Sequence, residues 1–560
     1  MSGACQDTGS IYYCPWHGGH IIIIMRTKDI IYRLFTCISL LFILFFIIIA
    51  FRDIFRASFE LYPREYREAA NLAIAKSFYE GINPYKINDG MPISVNVYGF
   101  INPLIASIIS RIFSIGLLRS FYILSLMYTI IIPILISYEV YSIVGLTRKS
   151  WIFYPFLIFF SYTITYGTGH ISSRPDYLGI IISLIIVMII RRDISTRSIL
   201  IASGLIILLF YIKPYFIFYM IPVGVFLLTK GKKPFAIYVS SIFLMGLVSF
   251  ILIRWIFPLY YAETVYFEFV ENIVSNSGVS TNANNFELLL YSMKQFDELL
   301  VTYIVPFIVL LIIIIGVVTK YIPSCQIRLF EDELMIKLKL YLLIIIWAIP
   351  ILLILGRNKG AWVSYHMQLL MPAVIISSFV GTISLSKKRM YLEIAILCFL
   401  IFSTPTLYRR YGRVEMLNTE EIYAWDTIED ICVNATEKGK NIYASCLVNG
   451  LLFDRIEQFY TYYTGHNYYN LELEKQKESI ENSVLLKKVL FPTFVNSIEY
   501  MNTLISEDTE KLKDNKYDII ISDAASSVEP GNIEEYNIMN FDLHSGVQNW
   551  ETTVYIKKQQ

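Results

Sequence analysis

Charged residues are scarce in this chain. Asp, Glu, Lys and Arg make up 17% of its 560 residues, against about 25% in soluble domains. The two signs nearly cancel, with a formal net charge of +1. A chain without a strong net charge has no global field that attracts nucleic acid, so we expect no nucleic-acid partner. Hydrophobic residues make up 55% of the sequence, which indicates a membrane protein.

Several signatures of ligand binding and ion coupling are also missing. The sequence has no G-x-x-x-x-G-K-[ST] loop, the pattern that cradles nucleotide phosphates. Its apolar segments hold few ionisable residues, whereas pumps and ion-coupled transporters need such residues within the membrane. No clear D-x-D pair stands in the polar loops, and Glu263, Glu268 and Glu271 do not share one helical face. We therefore predict no metal cofactor, with a divalent ion as the alternative.

The apolar residues are clustered in runs that each approach the length of a bilayer core, about 17–25 residues. Backbone groups in lipid must bond within their own segment, so these runs are predicted to be helices. A further run, 97–117, is interrupted by Pro103 and Arg111. The pattern predicts a polytopic α-helical protein with 11 to 13 transmembrane helices. The uninterrupted runs are 30–51, 121–144, 151–167, 176–190, 198–212, 214–229, 235–253, 300–319, 340–355, 368–386 and 390–405.

Lys and Arg in short connectors predict the orientation, because cytoplasmic loops are enriched in them. The basic connectors are 147–150, 191–197, 230–233, 320–339 and 387–389. With these in the cytoplasm, the opposite side holds loops 257–299 and 356–367 and everything after residue 406. The basic residues near the N-terminus place loop 52–96 on that opposite side too. The two assignments conflict by one span, and the simplest resolution is that 97–117 does not cross fully.

The N-terminal residues 1–24 are predicted to be a disordered extension preceding Met25, where the membrane protein itself begins. Cys5, Cys14, His17 and His20 do not have a usual zinc-ligand spacing. The first apolar run lacks a small-residue cleavage site, so we interpret it as a retained anchor. Residues 25–406 then form the transmembrane domain of a multi-pass cell-membrane protein.

Residues 407–560 are polar and are predicted to form an extracytoplasmic α/β domain. A helix is expected from about 418 to 438, and NIYASC, VLFPTFV, YDIIISD and TTVYIKK are typical of short strands. Cys432 and Cys446 lie in this domain. An external location permits a disulfide between them, and two free buried thiols are the alternative.

The polar loop 52–96 contains a predicted amphipathic helix that starts near Pro63 and stops at Gly81. Its apolar positions fall on one face, so we expect the helix to lie along the outer membrane surface. Glu65 stands in the first turn, where the helix dipole stabilises a carboxylate. A carboxylate at the lipid–water boundary can accept a proton from a hydroxyl group while a lipid-linked substrate keeps its tail in the bilayer.

Several motifs resemble those of membrane glycosyltransferases of the GT-C type. The chain resembles in particular the group of dolichyl-phosphate-mannose protein mannosyltransferases and aminoarabinose transferases, and the similarity covers roughly 30–406. That group often carries Asp-Glu or a lone Asp in the first loop. Here the matching acid is Glu65 or Glu68, and Glu65 is favoured. The motifs are G-I-N-P-Y at 81–85, N-V-Y-G-F-I-N-P-L at 96–104, S-R-P-D-Y-L-G at 173–179, K-P-Y at 213–215, and G-R-N-K-G-A-W-V-S-Y-H-M-Q-L-L-M-P at 356–372.

The resemblance implies transfer of a sugar from a polyprenyl phosphate to an acceptor hydroxyl on the extracytoplasmic face, with inversion. Glu65 would be the general base. The departing lipid phosphate needs fixed cations, and Arg357, Lys359 and Arg174 are the candidates. Asp176 is expected to pair with Arg174 in a structural salt bridge. The remaining candidates for substrate binding are Tyr66, Tyr98, Tyr365, His366 and Gln368.

Two other functions remain open at this stage. A lipid-linked saccharide polymerase or ligase would share the arginine-containing external loop, whereas a flippase would need a polar central cavity. A small-molecule transporter would need Gly- or Pro-broken helices at matching positions in two halves, and the polar groups here are gathered in loops instead. The acceptor classes open at this stage are a protein, a lipid and a growing glycan.

Overall fold

The computed structural model describes most of the predicted helices and part of the C-terminal domain. The described residues are 68–86, 98–145, 173–261, 332–355, 363–386, 419–444, 510–523, 529–545 and 548–558, with scattered positions in 30–62 and 154–162 and at 264 and 448. The predicted spans 300–319 and 390–405 and the strand VLFPTFV lie outside the described residues.

Most of the described residues up to 386 form helices that match predicted apolar runs. Run 214–229 differs from the expectation: a 3-10 helix, Pro214–Tyr219, precedes the 11-residue helix Met220–Lys230. The helices are α1 (Glu68–Glu80), α2 (Ile101–Phe113), α3 (Leu117–Val144), α4 (Asp176–Arg192), α5 (Thr196–Ile212), α6 (Met220–Lys230), α7 (Lys232–Ile256), α8 (Asp332–Leu355) and α9 (Val363–Ser386).

Helix α2 is too short to cross a bilayer. Its 13 residues span about 20 Å at 1.5 Å per residue, against a hydrocarbon core of about 30 Å. It ends at a left-handed Ser114, and α3 begins three residues later. Run 97–117 is thus represented by a short helix, in agreement with the expectation that it does not cross fully.

Two of the described helices are long and apolar enough to span a membrane, α3 and α7. Helix α7 leaves large apolar side chains exposed along its length, including Phe243, Leu247, Ile251 and Trp255. Contiguous exposed apolar surface of this kind matches a lipid environment. Helix α3 is mostly buried and forms the centre of the hydrophobic cluster that joins the other helices.

A buried ionic cluster ties three helices together where α3 and α4 end. The carboxylate of Glu139 on α3 pairs with Arg191 and lies 3.0 Å from Nη2 of Arg192, both on α4. Tyr341 on α8 donates its hydroxyl to Oε1 of Glu139 at 2.5 Å. An unpaired buried charge is costly, so Glu139 and its partners stabilise this end of the bundle only when all of them are present.

The described part of the C-terminal region contains the helix α10 (Thr419–Glu437) and a four-stranded sheet in the order β1-β2-β4-β3. Strands β1 and β2 are parallel, and the β2–β4 and β4–β3 pairs are antiparallel. Three of the four strands match predicted patterns, while β3 was not predicted. The strands are β1 (Ile442–Tyr443), β2 (Ile519–Asp523), β3 (Tyr536–Ser545) and β4 (Gln548–Lys557).

Helix α10 packs against one face of this sheet. Ile428 and Cys432 from the helix share a buried cluster with Ile519, Ile521 and Val554. The spacing of two along β2 shows that one face of the strand points toward the helix. Cys432 is a free thiol, so the disulfide alternative is wrong for this residue. Burial raises the pKa of the Cys432 thiol to about 12, which keeps it protonated and unreactive.

Candidate functional site

The starts of four helices meet at one end of the bundle. Glu68 begins α1 and is fully buried. Its Oε1 accepts a hydrogen bond from the backbone N–H of Ser173, just before α4, at 3.1 Å. Its Oε2 lies 3.0 Å from the hydroxyl of Tyr122, in the second turn of α3, which donates to it. One carboxylate therefore connects α1, α3 and the segment that leads into α4.

The same Ser173 is held by two asparagines. Asn71 on α1 donates its amide to the Ser173 hydroxyl at 3.0 Å and to its carbonyl at 3.3 Å. Asn102, in the first turn of α2, donates to the same carbonyl at 3.0 Å. All of these side chains are buried. Because buried polar groups are stable only when they are paired, these contacts fix the start of α2 beside the starts of α1 and α4.

An ion pair lies next to Ser173 in the chain. Asp176 begins α4, and Lys213 follows the last residue of α5. Nζ of Lys213 lies 2.6 Å from Oδ1 of Asp176, and the two residues are only 4% and 3% exposed. The pair closes the open end of the α4–α5 hairpin, since these helices run antiparallel and are joined by residues 193–195.

Tyrosine rings enclose the ammonium group of Lys213. The centroids of the Tyr98 and Tyr215 rings lie 4.7 and 4.8 Å from Nζ, within the range of a cation–π contact. The Tyr215 hydroxyl also donates to Oδ1 of Asp176 at 3.1 Å. The K-P-Y motif at 213–215 thus supplies both the cation and one of its walls.

Two acceptor atoms of the site have no hydrogen-bond donor among the residues that the structure describes. They are Oδ2 of Asp176 and Oδ1 of Asn102, and both are buried. An unsatisfied buried acceptor costs free energy, so each of these atoms is suited to receive an N–H or O–H group. This end of the bundle therefore combines a buried carboxylate and a buried ion pair with two available acceptors.

The G-I-N-P-Y segment connects α1 to the end of α7. Gly81 has a positive φ of 79° and ends α1, a conformation that favours glycine. The Asn83 side chain accepts from the backbone N–H of Tyr85 at 3.0 Å and donates to the carbonyl of Ile256 at 2.5 Å. The backbone of Leu259 then donates to the Tyr85 carbonyl at 3.0 Å. The segment that follows α7 is thereby held beside the residues that follow the C-terminal end of α1.

Gly99 allows the Tyr98 segment to approach α5. Its N–H donates to the carbonyl of Ile212 at 2.9 Å, and an added Cβ would lie 1.7 Å from the carbonyl oxygen of Tyr211. We expect Gly99→Ala to force backbone movement and to lower the free energy of unfolding by about 1–3 kcal/mol. The measurement is thermal unfolding in detergent. Gly204→Ala, where the nearest atom is 3.8 Å away, is the matched control and should not be destabilised.

The structure places two of the predicted site residues at this end. Tyr98 is buried against Lys213. Arg174, the residue that follows Ser173 in the sequence, is half-buried. Glu65, Tyr66, Arg357 and Lys359 lie outside the described residues. Tyr365, His366 and Gln368 are within helix α9, and their side chains also lie outside the description.

Two expectations about this region are wrong. Asp176 pairs with Lys213 and not with Arg174, because the antiparallel hairpin brings the end of α5 to the start of α4. Helix α1 is not an amphipathic surface helix: residues 70–75 are all buried. Its polar residues find partners inside the protein, as the contacts of Glu68 and Asn71 show.

Sequence reasoning did not assign six members of the site: Lys213, Tyr122, Tyr215, Asn71, Asn102 and Ser173. The K-P-Y and S-R-P-D-Y-L-G motifs marked the first and the last of them without giving a role. Tyr122 had no signal, because one tyrosine among 42 in an apolar run is indistinguishable from a packing residue.

Comparison with solved structures finds a similarity in fold. No protein-family model matches the chain, and no curated protein matches it. Among solved structures, the chain is similar to the crystal structure of ArnT from Cupriavidus metallidurans bound to undecaprenyl phosphate. The match covers 93% of this chain and 97% of that one, with 10% identity and a TM-score of 0.47.

Proposed function

We propose that this chain is a membrane glycosyltransferase of the GT-C type that moves a sugar from a polyprenyl phosphate to an acceptor hydroxyl on the extracytoplasmic face. The observation that carries the proposal is the polar cluster around Glu68, Ser173, Asp176 and Lys213 at one end of an apolar helical bundle. Such a cluster suits a substrate whose head is polar and whose tail stays in lipid. The basic connector 191–197 lies at the opposite end of α4, which supports an extracytoplasmic site.

The first loop supplies the general base in this proposal. Glu68 is buried, and both of its oxygens already accept hydrogen bonds, so we assign it to positioning the start of α1. Glu65, one helical turn earlier in the sequence, is the proposed base. It accepts the proton of the acceptor hydroxyl as the oxygen attacks the anomeric carbon. The bond from that carbon to the phosphate oxygen breaks, and a single displacement inverts the configuration.

The negative charge that develops on the lipid phosphate needs fixed cations. We assign this role to Arg357 and Lys359 in loop 356–367, with Arg174 as a third candidate. Guanidinium groups bind phosphate through two parallel hydrogen bonds, which makes the arginines the better direct ligands. Lys213 is not assigned to the phosphate, because Asp176 already neutralises it within the bundle.

The sugar is the proposed partner of the two available acceptors. Sugar hydroxyls are hydrogen-bond donors, and Oδ2 of Asp176 and Oδ1 of Asn102 are buried acceptors at the same end as the first loop. Tyr66, Tyr98, Tyr365, His366 and Gln368 remain proposed substrate-binding residues. No step of the proposed reaction requires a metal.

The proposal is tested with membranes that contain the full chain and a radiolabelled polyprenyl-phosphate sugar. We expect label to leave the lipid together with release of polyprenyl phosphate. Arg357→Gln should raise KM for the donor by about tenfold or more, since a charge-assisted phosphate contact is lost. Lys233→Gln, in the first turn of α7, is the matched control and should leave KM unchanged.

The same assay separates the alternative functions. A polymerase or ligase would release a polyprenyl diphosphate from a diphosphate-linked donor and would not use the monophosphate. A transporter would move its substrate across a sealed vesicle without breaking the bond to any lipid. If no polyprenyl-phosphate sugar is consumed by the unmodified chain, the transferase proposal is wrong.

A further inference from the structure

Tyr62 precedes α1 and is packed into the C-terminal domain. It is 7% exposed and belongs to the same buried cluster as Trp425, Ile428 and Cys432. Its ring stacks on the indole of Trp425 with the centroids 5.4 Å apart and the planes 16° from parallel. Its hydroxyl donates to Oδ1 of Asp426. A residue of the first loop is thus a core residue of the distant α10 region.

The backbone of the same residue faces the helical bundle. The carbonyl of Tyr62 lies 2.9 Å from the hydroxyl of Tyr122, which donates to it. That hydroxyl also lies 3.0 Å from Oε2 of Glu68. The Tyr122 hydroxyl has one proton, which is shared between the Tyr62 carbonyl and the Glu68 carboxylate. The contacts therefore run without a gap from α10 through Tyr62 and Tyr122 to the carboxylate that begins α1.

These contacts fix the two ends of one short stretch of chain. Tyr62 is held by the C-terminal domain, and Glu68 is held by α3 and the Ser173 segment. They are six positions apart in the sequence, so their Cα atoms are at most about 20 Å apart. The C-terminal domain and the helical bundle therefore hold the same short stretch of chain at its two ends.

We propose that the C-terminal domain is a positioning element for the first loop, and that Tyr62, Trp425 and Asp426 form its docking contact. Tyr62 and Asp426 act through Glu68 and do not touch substrate. The docking itself is independent of the reaction. Only its consequence for sugar transfer rests on the proposed function. That consequence acts through two first-loop acids: Glu65, which lies between Tyr62 and Glu68 in the sequence, and Glu68 itself.

Hydrogen exchange of the α1 peptide tests the docking without any assay of activity. Asp426→Ala removes the acceptor of the Tyr62 hydroxyl, and we expect exchange in residues 68–80 to accelerate about tenfold, because a hydrogen bond to a charged group is lost. Asp430→Ala is the matched control: it removes an exposed acid one turn further along α10 and should leave this exchange unchanged. Asp426→Asn retains an acceptor oxygen and should restore most of the protection.

A reciprocal variant distinguishes a specific contact from general loss of stability. Tyr62→Phe keeps the ring on Trp425 and removes the hydroxyl. When it is combined with Asp426→Ala, the exchange of α1 should be no faster than in Asp426→Ala alone, since both changes remove one bond. Equal exchange in Asp426→Ala and Asp430→Ala, or acceleration spread over all peptides of the chain, would overturn the proposal.

Activity provides the second readout. In Asp426→Ala we expect kcat to fall several-fold with an unchanged KM for the donor, and Asp426→Asn should recover it. A change in KM alone would contradict a role in positioning the first loop. If the unmodified chain transfers no sugar, the proposed function fails, whereas the exchange measurements still decide whether the C-terminal domain orders α1.

Discussion

Glu65→Gln is expected to lower the rate of sugar transfer by about 10²- to 10⁴-fold, the usual contribution of general base catalysis. Glutamine has nearly the same shape and cannot accept the proton of the acceptor hydroxyl. Binding of the donor depends on other groups, so its KM should change little. The measurement is single-turnover transfer of labelled sugar from a polyprenyl phosphate in membranes, with expression level and thermal unfolding compared with the unmodified chain.

Glu68→Gln is the control that separates catalysis from positioning. Its remaining carbonyl oxygen can still accept from Ser173 N–H, but the amide group opposite Tyr122 replaces a charged acceptor. We expect lower thermal stability and faster hydrogen exchange in α1. Transfer activity should fall only in proportion to the loss of stability. If Glu68→Gln abolishes transfer without loss of stability, and Glu65→Gln retains transfer, the base is Glu68 and the present assignment is wrong.

Most of the helices that match apolar runs were predictable because hydropathy specifies them. Backbone groups in an apolar segment have no other partner, so runs such as 121–144 and 235–253 correspond to α3 and α7. Run 97–117 was ambiguous because Pro103 and Arg111 interrupt it. In the structure this run forms α2, a helix of 13 residues that is too short to cross a bilayer. Strand β3 was not predicted, although its residues Met539–His544 alternate between apolar and polar side chains as in a half-buried strand.

Pairing between distant residues was not predictable in the same way. The sequence suggested that Arg174 pairs with Asp176 because the two are close in the chain. The actual partner, Lys213, is 37 residues away and is brought near by the return of α5 alongside α4. Likewise, burial of α1 depends on the packing of α2 and the Ser173 segment around it. No periodicity within residues 63–81 carries that information.

The position of Tyr62 shows the same limit at the scale of domains. Composition marks a boundary near residue 406, and from sequence each side is expected to form its own core. The structure instead places a first-loop tyrosine in the cluster with Trp425 and Ile428. A single aromatic side chain that crosses between two regions changes neither composition nor periodicity, and only three-dimensional packing reveals it.

Lys213→Met is expected to be the most destabilising single substitution in the site, at about 3–5 kcal/mol. It leaves the Asp176 carboxylate buried, with a hydrogen bond from the Tyr215 hydroxyl but no cation to offset its desolvation. Asp176→Asn should have a similar but smaller effect, because the Tyr215 hydroxyl keeps an acceptor. The measurement is the midpoint of thermal unfolding of purified protein in detergent.

The double variant separates the cost of an unpaired charge from the loss of packing. Lys213→Met combined with Asp176→Asn removes both charges, and replacement of a whole buried ion pair is often close to neutral. We therefore expect the double variant to be more stable than Lys213→Met alone. Lys230→Met, at the exposed end of α6, controls for loss of a lysine and should shift the midpoint little. Additive destabilisation in the double variant would mean that the contacts of the two side chains with their neighbours, and not their mutual pairing, stabilise this end of the bundle.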